Sequence, residues 1–349
     1  MQVWHDVRDI PADLGPTVVT IGNFDGVHLG HRHVLECARQ AAIERGGLPV
    51  VCVTFDPHPL TVVAPDRAPQ ALSSLAERLH LLGTAGADAA LVLAFTPALA
   101  RVSAEDFVLD ILLGSLRASA VVVGENFRFG NRALGDVDLL KALCSERGVA
   151  VHALPLDGTP GRSWSSTYIR QCIADGDVAA ANEALGRPLS LQGYVVRGDQ
   201  RGRELGYPTA NVPVSITRTA VPVDGVYAGW LRRLDDAEAP YWPAAISVGS
   251  NPTFDGADRR VEAYVLDRTD LELYGVPVAV FFVARLRGMV KFDSVDELVA
   301  QMKTDVDQAR TILTDTVRPD AARSAGTSAA VSARPPEVAP DAGPSATRR

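Results

Sequence analysis

Two histidines, His28 and His31, enclose Gly30 at the end of the run Gly22-Asn23-Phe24-Asp25-Gly26-Val27-His28-Leu29-Gly30-His31. Imidazoles so spaced at a helix start can donate hydrogen bonds to phosphate oxygens and stabilise charge on a transferred phosphoryl group. They can also be incidental histidines of a surface helix, or two ligands of a metal, although no third ligand stands nearby in sequence. A second group, Ser165-Ser166-Thr167 followed by Arg170, either caps a helix or binds a triphosphate. A third runs from Gly198 to Asn211. Gly198, Gly202 and Gly206 with Arg201 and Arg203 can cradle phosphates, and the Thr209 hydroxyl and Asn211 carbonyl are hard oxygen ligands of the kind Mg²⁺ accepts. Its plain alternative is a glycine-rich loop joining two strands.

These groups need particular elements to position them. The apolar run 17–21 reads as a buried strand, and 32–45 carries helical apolar spacing, so the histidines sit on a strand-to-helix turn. Glycines there let the backbone bend toward a ligand, and the first amides of the helix form an anion site. Further strands are expected at 50–55, 89–94, 120–123 and 149–154, with helices at 73–82, 103–116 and 136–147. Alternating strand and helix predicts a Rossmann-like parallel sheet covered on both faces, with ligands beyond the carboxyl ends of the strands. The polar runs 54–59, 124–130 and 164–170 fall where they can share that crevice with the histidines.

After a small Ala-rich helix ending at Gly186-Arg187-Pro188 the periodicity becomes that of strands: 191–197, 225–231, 243–248, 260–266 and 278–286. These predict a small antiparallel β-barrel, closed by one helix at 294–313 with Ser294 or Asp293 as its cap and Leu298, Met302 and Ile312 facing inward. Alternation in the fourth run points Val261, Ala263 and Val265 one way and Glu262, Tyr264 and Leu266 the other. The expected division is 1–183, 184–316 and a disordered tail, 317–349, too poor in large apolar residues to offset the entropy of ordering.

The net charge of −8 disfavours long polyanions such as nucleic acid but permits a local basic pocket for a small phosphate. Four widely separated cysteines without a Cys-x-x-Cys pair argue against a disulfide framework or structural zinc, so reduced, mostly buried thiols are expected. The first residues lack the features of a secretory signal, and no run is long and apolar enough to cross a bilayer. A cytoplasmic protein without membrane partners is expected, and a homo-oligomer is compatible with the sequence.

The run from Gly22 to His31 resembles the signature of nucleotidyltransferases that carry His-x-Gly-His. Among these it resembles the adenylyltransferase half of the bacterial bifunctional riboflavin kinase/FMN adenylyltransferases, or FAD synthetases. Thr54-Phe55-Asp56-Pro57-His58-Pro59, Asn126-Phe127-Arg128-Phe129-Gly130 and Ser165 to Arg170 match that family in order. Pro208-Thr209-Ala210-Asn211 and Val261-Glu262-Ala263-Tyr264, followed by Leu273-Tyr274-Gly275, resemble its kinase half. Departures are Glu272, where Asp is expected, and Gly288-Met289-Val290 in place of a more charged connection.

The resemblance implies ATP contacts from Gly22, Phe24, Asp25, Gly30 and Ser165 to Thr167, and flavin contacts from Asp56, His58, Asn126, Phe127 and Arg128. It makes Glu262 the general base on the flavin's ribityl hydroxyl and places Thr209 and Asn211 at Mg²⁺. The activity expected is Mg-ATP-dependent phosphorylation of riboflavin to FMN, then adenylylation of FMN by ATP, with charge stabilised by His28, His31 and Arg170. Two rivals differ in testable ways: an adenylyltransferase for another phosphorylated metabolite would not turn over riboflavin, and a flavin-binding regulator would need no base.

Overall fold

The computed structural model describes residues 1–316, other than 156–157, 160–161, 199–201, 203–204, 218 and 254–255, together with residue 319. Arg201, Arg203 and the expected tail therefore lie outside the described residues, apart from position 319 in the tail.

The first half is built on a six-stranded parallel sheet in the order β1-β4-β3-β2-β5-β6. Its strands are β1 Gln2–Trp4, β2 Thr17–Ile21, β3 Val50–Asp56, β4 Ala89–Ala94, β5 Ala118–Gly124 and β6 Ala150–Leu154. Five consecutive buried residues make β2, as expected of a parallel strand covered on both faces. Successive side chains divide between two cores. Val18 joins a cluster with Leu35, Ala38 and Leu82 from the helices α1 Leu29–Glu44 and α3 Leu75–Thr84. Val19 joins Phe107, Leu112 and Leu140 on the other face. That face is covered by α5 Val137–Ser145 and by α4 Ala104–Asp106, which continues as a π-helical stretch, Phe107–Ser115. A short helix, α2 Pro59–Val63, comes after β3. Because β2 is flanked by β3 and β5, the chain reverses its direction of travel across the sheet at the C-terminal end of β2, the place where such sheets open a crevice.

A two-stranded ribbon, β7 Gly158–Thr159 and β8 Arg162–Ser163, precedes two helices, α6 Ser166–Asp175 and α7 Val178–Leu185. Both end at left-handed glycines, Gly176 and Gly186. Ile169, Ile173, Ala181 and Leu185 pack into the same apolar core as the second half's strands. Asn182 stitches the junction further, accepting from the Leu189 amide at 2.7 Å and donating to the Phe282 carbonyl at 2.8 Å. Helix α7 thus runs across position 183 and shares its core with the strands of the second half.

The second sheet is antiparallel, in the order β10-β13-β12-β11-β14-β9. Its strands are β9 Leu189–Tyr194, β10 Thr209–Pro213, β11 Gly225–Arg233, β12 Trp242–Thr253, β13 Gly256–Val265 and β14 Pro277–Arg287, with a short helix, α8 Val214–Thr217, after β10. The chain just beyond β9 meets β10 through a bridge between Val196 and Asn211, which curls the sheet into a barrel. Strand β10 corrects the loop expected there. Its ladder partner, β13, lies about fifty residues away, so local pattern carried no sign of it.

Val261, Ala263 and Val265 are buried as the alternation requires, but Leu266 is buried as well. The strand has ended at Val265, and the chain turns through Asp267 at φ 60°. The last helix, α9 Val295–Thr314, is capped by Ser294, whose hydroxyl accepts from the Glu297 amide. Leu298, Met302 and Ile312 are only partly buried; Ala309, Leu313 and Asp305 face the barrel. Asp305 is tolerated there because Arg287 on β14 grips it through two nitrogens, at 2.9 and 2.7 Å. No disulfide joins the four cysteines, and among the described residues no helix is long and apolar enough to cross a membrane.

Candidate active sites

The turn after β2 is wound tightly. Phe24, Gly26 and Val27 have φ of 47°, 79° and 39°, and a left-handed β-branched residue such as Val27 is held only where its surroundings demand it. His28 then caps α1, its Nδ1 accepting from the His31 amide at 3.4 Å. That bond makes Nε2 the protonated nitrogen of a neutral His28. The His28 and His31 rings stack with centroids 3.6 Å apart, and the edge of buried Phe24 supports His31 at 5.3 Å. Nδ1 of His31 is buried without a hydrogen-bond partner.

Burial first, then the positive charges of Arg187 and Arg170, brings the His28 imidazole down to about 4. His31 is held well below its ordinary range by burial and then by His28, Arg187 and Arg78. Both imidazoles are therefore neutral donors at neutral pH, rather than cations.

Helix α6 delivers the second group to the same place. Ser165 caps it, accepting from the Tyr168 amide at 3.1 Å, and the Ser166 hydroxyl donates to the Asp25 carbonyl at 2.9 Å. Thr167 is exposed. Arg170 pairs closely with the buried Asp25 carboxylate and donates to the Gln70 carbonyl at 2.7 Å. Asp25 also accepts from the Leu72 amide at 2.8 Å. Part of what the sequence offers to a ligand thus holds the walls in place: Asp25 and Arg170 lock α6 to the turn, and Phe24 lies beneath His31. Gly22 lies close against the Phe24 ring and Gly30 against the His28 ring.

The loop after β3 stands alongside. His58 caps α2, its Nδ1 accepting from the Leu60 amide, and its Nε2 lies 3.2 Å from Nδ2 of Asn23. Burial lowers the His58 pKa, against the pull of Asp25. Arg78, nearly buried, donates to the carbonyls of Asn23 and Phe55 and approaches Asp56 at 3.5 Å, tying the two loops together. After β5, Phe127 stacks on Phe129 at 5.2 Å, Asn126 is exposed, and Arg128 pairs with Asp136 at 3.0 Å on the surface. Arg78 carried no signal of this role in the sequence and only the fold brings it to the crevice, whereas Asn23 lies within the run from Gly22 to His31 but had no role of its own there.

The barrel carries a separate cavity of about 350 Å³, lined by Gly198, Thr209, Asn211, Ser247, Arg260 and Glu262 among others. Asn211 on β10 and Ser247 on β12 lie directly across from Glu262 on β13, so three strands present one row of polar side chains. Thr209 donates to Glu262 at 3.4 Å, and Nδ2 of Asn211 donates to the Thr209 hydroxyl at 3.1 Å. This fixes the amide so that Oδ1 of Asn211 lies against Gly198, where an added Cβ would stand only 2.6 Å away. Gly202 is equally confined, 2.5 Å from the Tyr207 carbonyl by the same measure, and Gly206 has φ 86°. Ser247 and Arg260 join the expected set through cross-strand register, which the sequence does not display.

A hydroxyl and an amide oxygen beside one carboxylate fit Mg²⁺ shared with substrate phosphates. Among the described residues no group of three or more His, Cys, Asp or Glu forms a protein-only cage for a metal.

Comparison with known proteins respects this division. The FAD synthetase family model matches residues 10–168, and the riboflavin kinase family model matches 185–313. The bifunctional riboflavin kinase/FMN adenylyltransferase of Escherichia coli K12 is 39% identical over 306 residues, covering 88% of this chain and 95% of its own. That of Pseudomonas fluorescens is 35% identical over 313 residues, covering 89% and 98%. A solved structure described as a macrolide-efflux protein from Streptococcus pneumoniae shares the architecture with TM-score 0.79 at 34% identity, covering 88% of this chain and 98% of that one. Two family models in series, each over the half that carries the matching site, and relatives alike along nearly their whole length lead to one conclusion: the chain belongs to the bifunctional riboflavin kinase/FMN adenylyltransferase family.

Proposed function

We propose that the family's two reactions, riboflavin to FMN and FMN to FAD, are divided between the two sites residue by residue. In the barrel, Glu262 accepts the proton of the ribityl 5′-hydroxyl as that oxygen attacks the γ-phosphorus of ATP and ADP leaves. Thr209 and Asn211 would hold Mg²⁺, which when bound neutralises charge on the phosphate oxygens. Gly198, Gly202 and Gly206 let the backbone lie close over the phosphates, with Arg201 and Arg203 on the same segment. The observation that carries this reading is the cross-strand pair of Asn211 and Glu262, bridged by Thr209.

In the parallel-sheet half, an ionised phosphate oxygen of FMN attacks the α-phosphorus of ATP, the bond to the β-phosphate oxygen breaks, and pyrophosphate leaves. No proton need be moved, so the work is positioning and charge stabilisation. His28 and His31 donate to phosphate oxygens at the amino end of α1. Ser165, Ser166, Thr167 and Arg170 line the triphosphate side from α6. Asp56, His58, Asn126, Phe127 and Arg128 form the flavin side, a reading supported by the stacked Phe127 and Phe129 rings. The proposed division is 1–183 and 184–316. The cytoplasm is the proposed compartment, since thiols without a disulfide suit reducing surroundings.

Riboflavin, ATP and Mg²⁺ incubated with the chain, with flavins separated by chromatography, test the division. Glu262→Gln should stop phosphorylation yet still convert supplied FMN to FAD; His28→Ala should accumulate FMN. The reverse pattern would overturn the assignment.

A further inference from the structure

Arg187 lies two residues beyond α7, inside the stretch matched by the riboflavin kinase family and outside that matched by FAD synthetase. Its side chain nevertheless reaches into the other site. Nη2 donates to the Gly26 carbonyl at 2.7 Å, and Nη1 lies 3.4 Å from the carbonyls of Val27 and Leu185. Gly26 and Val27 are two of the left-handed residues of the turn, and the Val27 carbonyl belongs to the peptide that leads directly into His28. Holding that carbonyl therefore sets the plane from which the His28 ring departs. The junction around Arg187 is firm: Ser190 on β9 bonds closely to Glu77 on α3, and the Ala220 amide donates to Ala71 at 2.7 Å.

We propose that Arg187 is a positioning residue for adenylyl transfer, clamping from the kinase-side linker the strained turn that presents His28 to the phosphates. The inference rests on the reading of His28 and His31 as phosphate donors. It makes the adenylyltransferase site incomplete without the linker that begins the kinase half. Arg187 stays charged at neutral pH, although burial, opposed by Glu77 and aided by Arg32, brings it down to about 10. His28 faces that charge together with Arg170 from α6 and the stacked His31 of α1, so the clamp also helps to keep the imidazole neutral.

The test uses the full chain with Arg187→Met, Arg187→Lys and His28→Ala, measuring FAD formation from FMN and ATP, and FMN formation from riboflavin and ATP. Arg187→Met should lower kcat for adenylylation by roughly tenfold to a hundredfold, the worth of lost charged hydrogen bonds. Its KM values should change little, and phosphorylation should stay within about twofold. Arg187→Lys keeps the charge and one donor and should recover part of the loss. In histidine-labelled protein, NMR titration should show the His28 pKa rising in Arg187→Met and unmoved in Arg187→Lys, whereas loosened packing that hydrates the ring would raise it in both variants. A wild-type adenylylation kcat in Arg187→Met would overturn the proposal, as would equal loss of both activities with the His28 pKa unchanged. Should Arg187→Met not fold, full kcat in Arg187→Lys would overturn it. Full adenylylation by His28→Ala would instead overturn the site assignment beneath it.

Discussion

Replacing Gly30 by alanine should separate stability from activity. A Cβ added there would stand 3.3 Å from Cε1 and Nδ1 of His28 and 3.4 Å from the Trp164 carbonyl, tighter than ordinary contact by a few tenths of an ångström. The His28 ring is 5% exposed, stacked on His31 and bonded to the His31 amide, so it shifts rather than swings away. A misplacement of 1 Å in a catalytic group costs about a hundredfold, and a few tenths scale to roughly a threefold to tenfold fall in kcat for adenylylation. Meanwhile alanine favours the helix over glycine by up to about 1 kcal/mol, which in a chain of this size raises the melting temperature by roughly 1–3 °C. The assay is FAD formation from supplied FMN beside a thermal melt, with riboflavin phosphorylation in the same preparation as the internal reference. A stabilised Gly30→Ala with wild-type adenylylation would refute the claim that the His28 position is set this tightly. An equal fall in both activities would show damage that is not local.

Other consequences come from the same geometry. Gly198→Ala would press on Oδ1 of Asn211, which is buried and held by Thr209; phosphorylation should fall by roughly tenfold or more, with adenylylation of supplied FMN unchanged. Asp25→Ala removes the partner of Arg170 and an acceptor of two amides, and should cost about 3–5 kcal/mol in urea unfolding; a loss under about 1 kcal/mol would mean the pair is not structural. The pH dependence has a definite sign. His28 is lowered in the fold from 6.5 to about 4, so the unfolded chain binds the extra proton; stability is full above about pH 6.5 and is lost as pH falls toward 4, by up to about 3 kcal/mol. His31 acts in the same direction, and His28→Ala should flatten the slope measured by denaturant titration between pH 7 and 4.

Much of this protein is legible along the chain because its signals are local. Apolar runs set off by glycine, proline or charged residues announce β2, β3, β4 and β5, whose burial on both faces needs no knowledge of their neighbours. The His28 and His31 spacing, the Ser165 cap and the alternation around Glu262 each fit within one element and can be read there.

The tertiary structure decided what depends on distant partners. Strand β10 exists because β13 offers it a ladder, and that ladder sets Asn211 opposite Glu262. Along the chain Arg170 reads as a free cation beside three hydroxyls, yet the fold gives it Asp25 across 145 positions of sequence. Burial and neighbouring arginines make His28 and His31 neutral donors, which composition cannot reveal. The reach of Arg187 back to Gly26 spans 161 positions. Residue type and spacing name the chemistry a segment can perform, whereas charge state, partner and register come from what packs against it. In this chain much of that packing lies across the junction of the two halves.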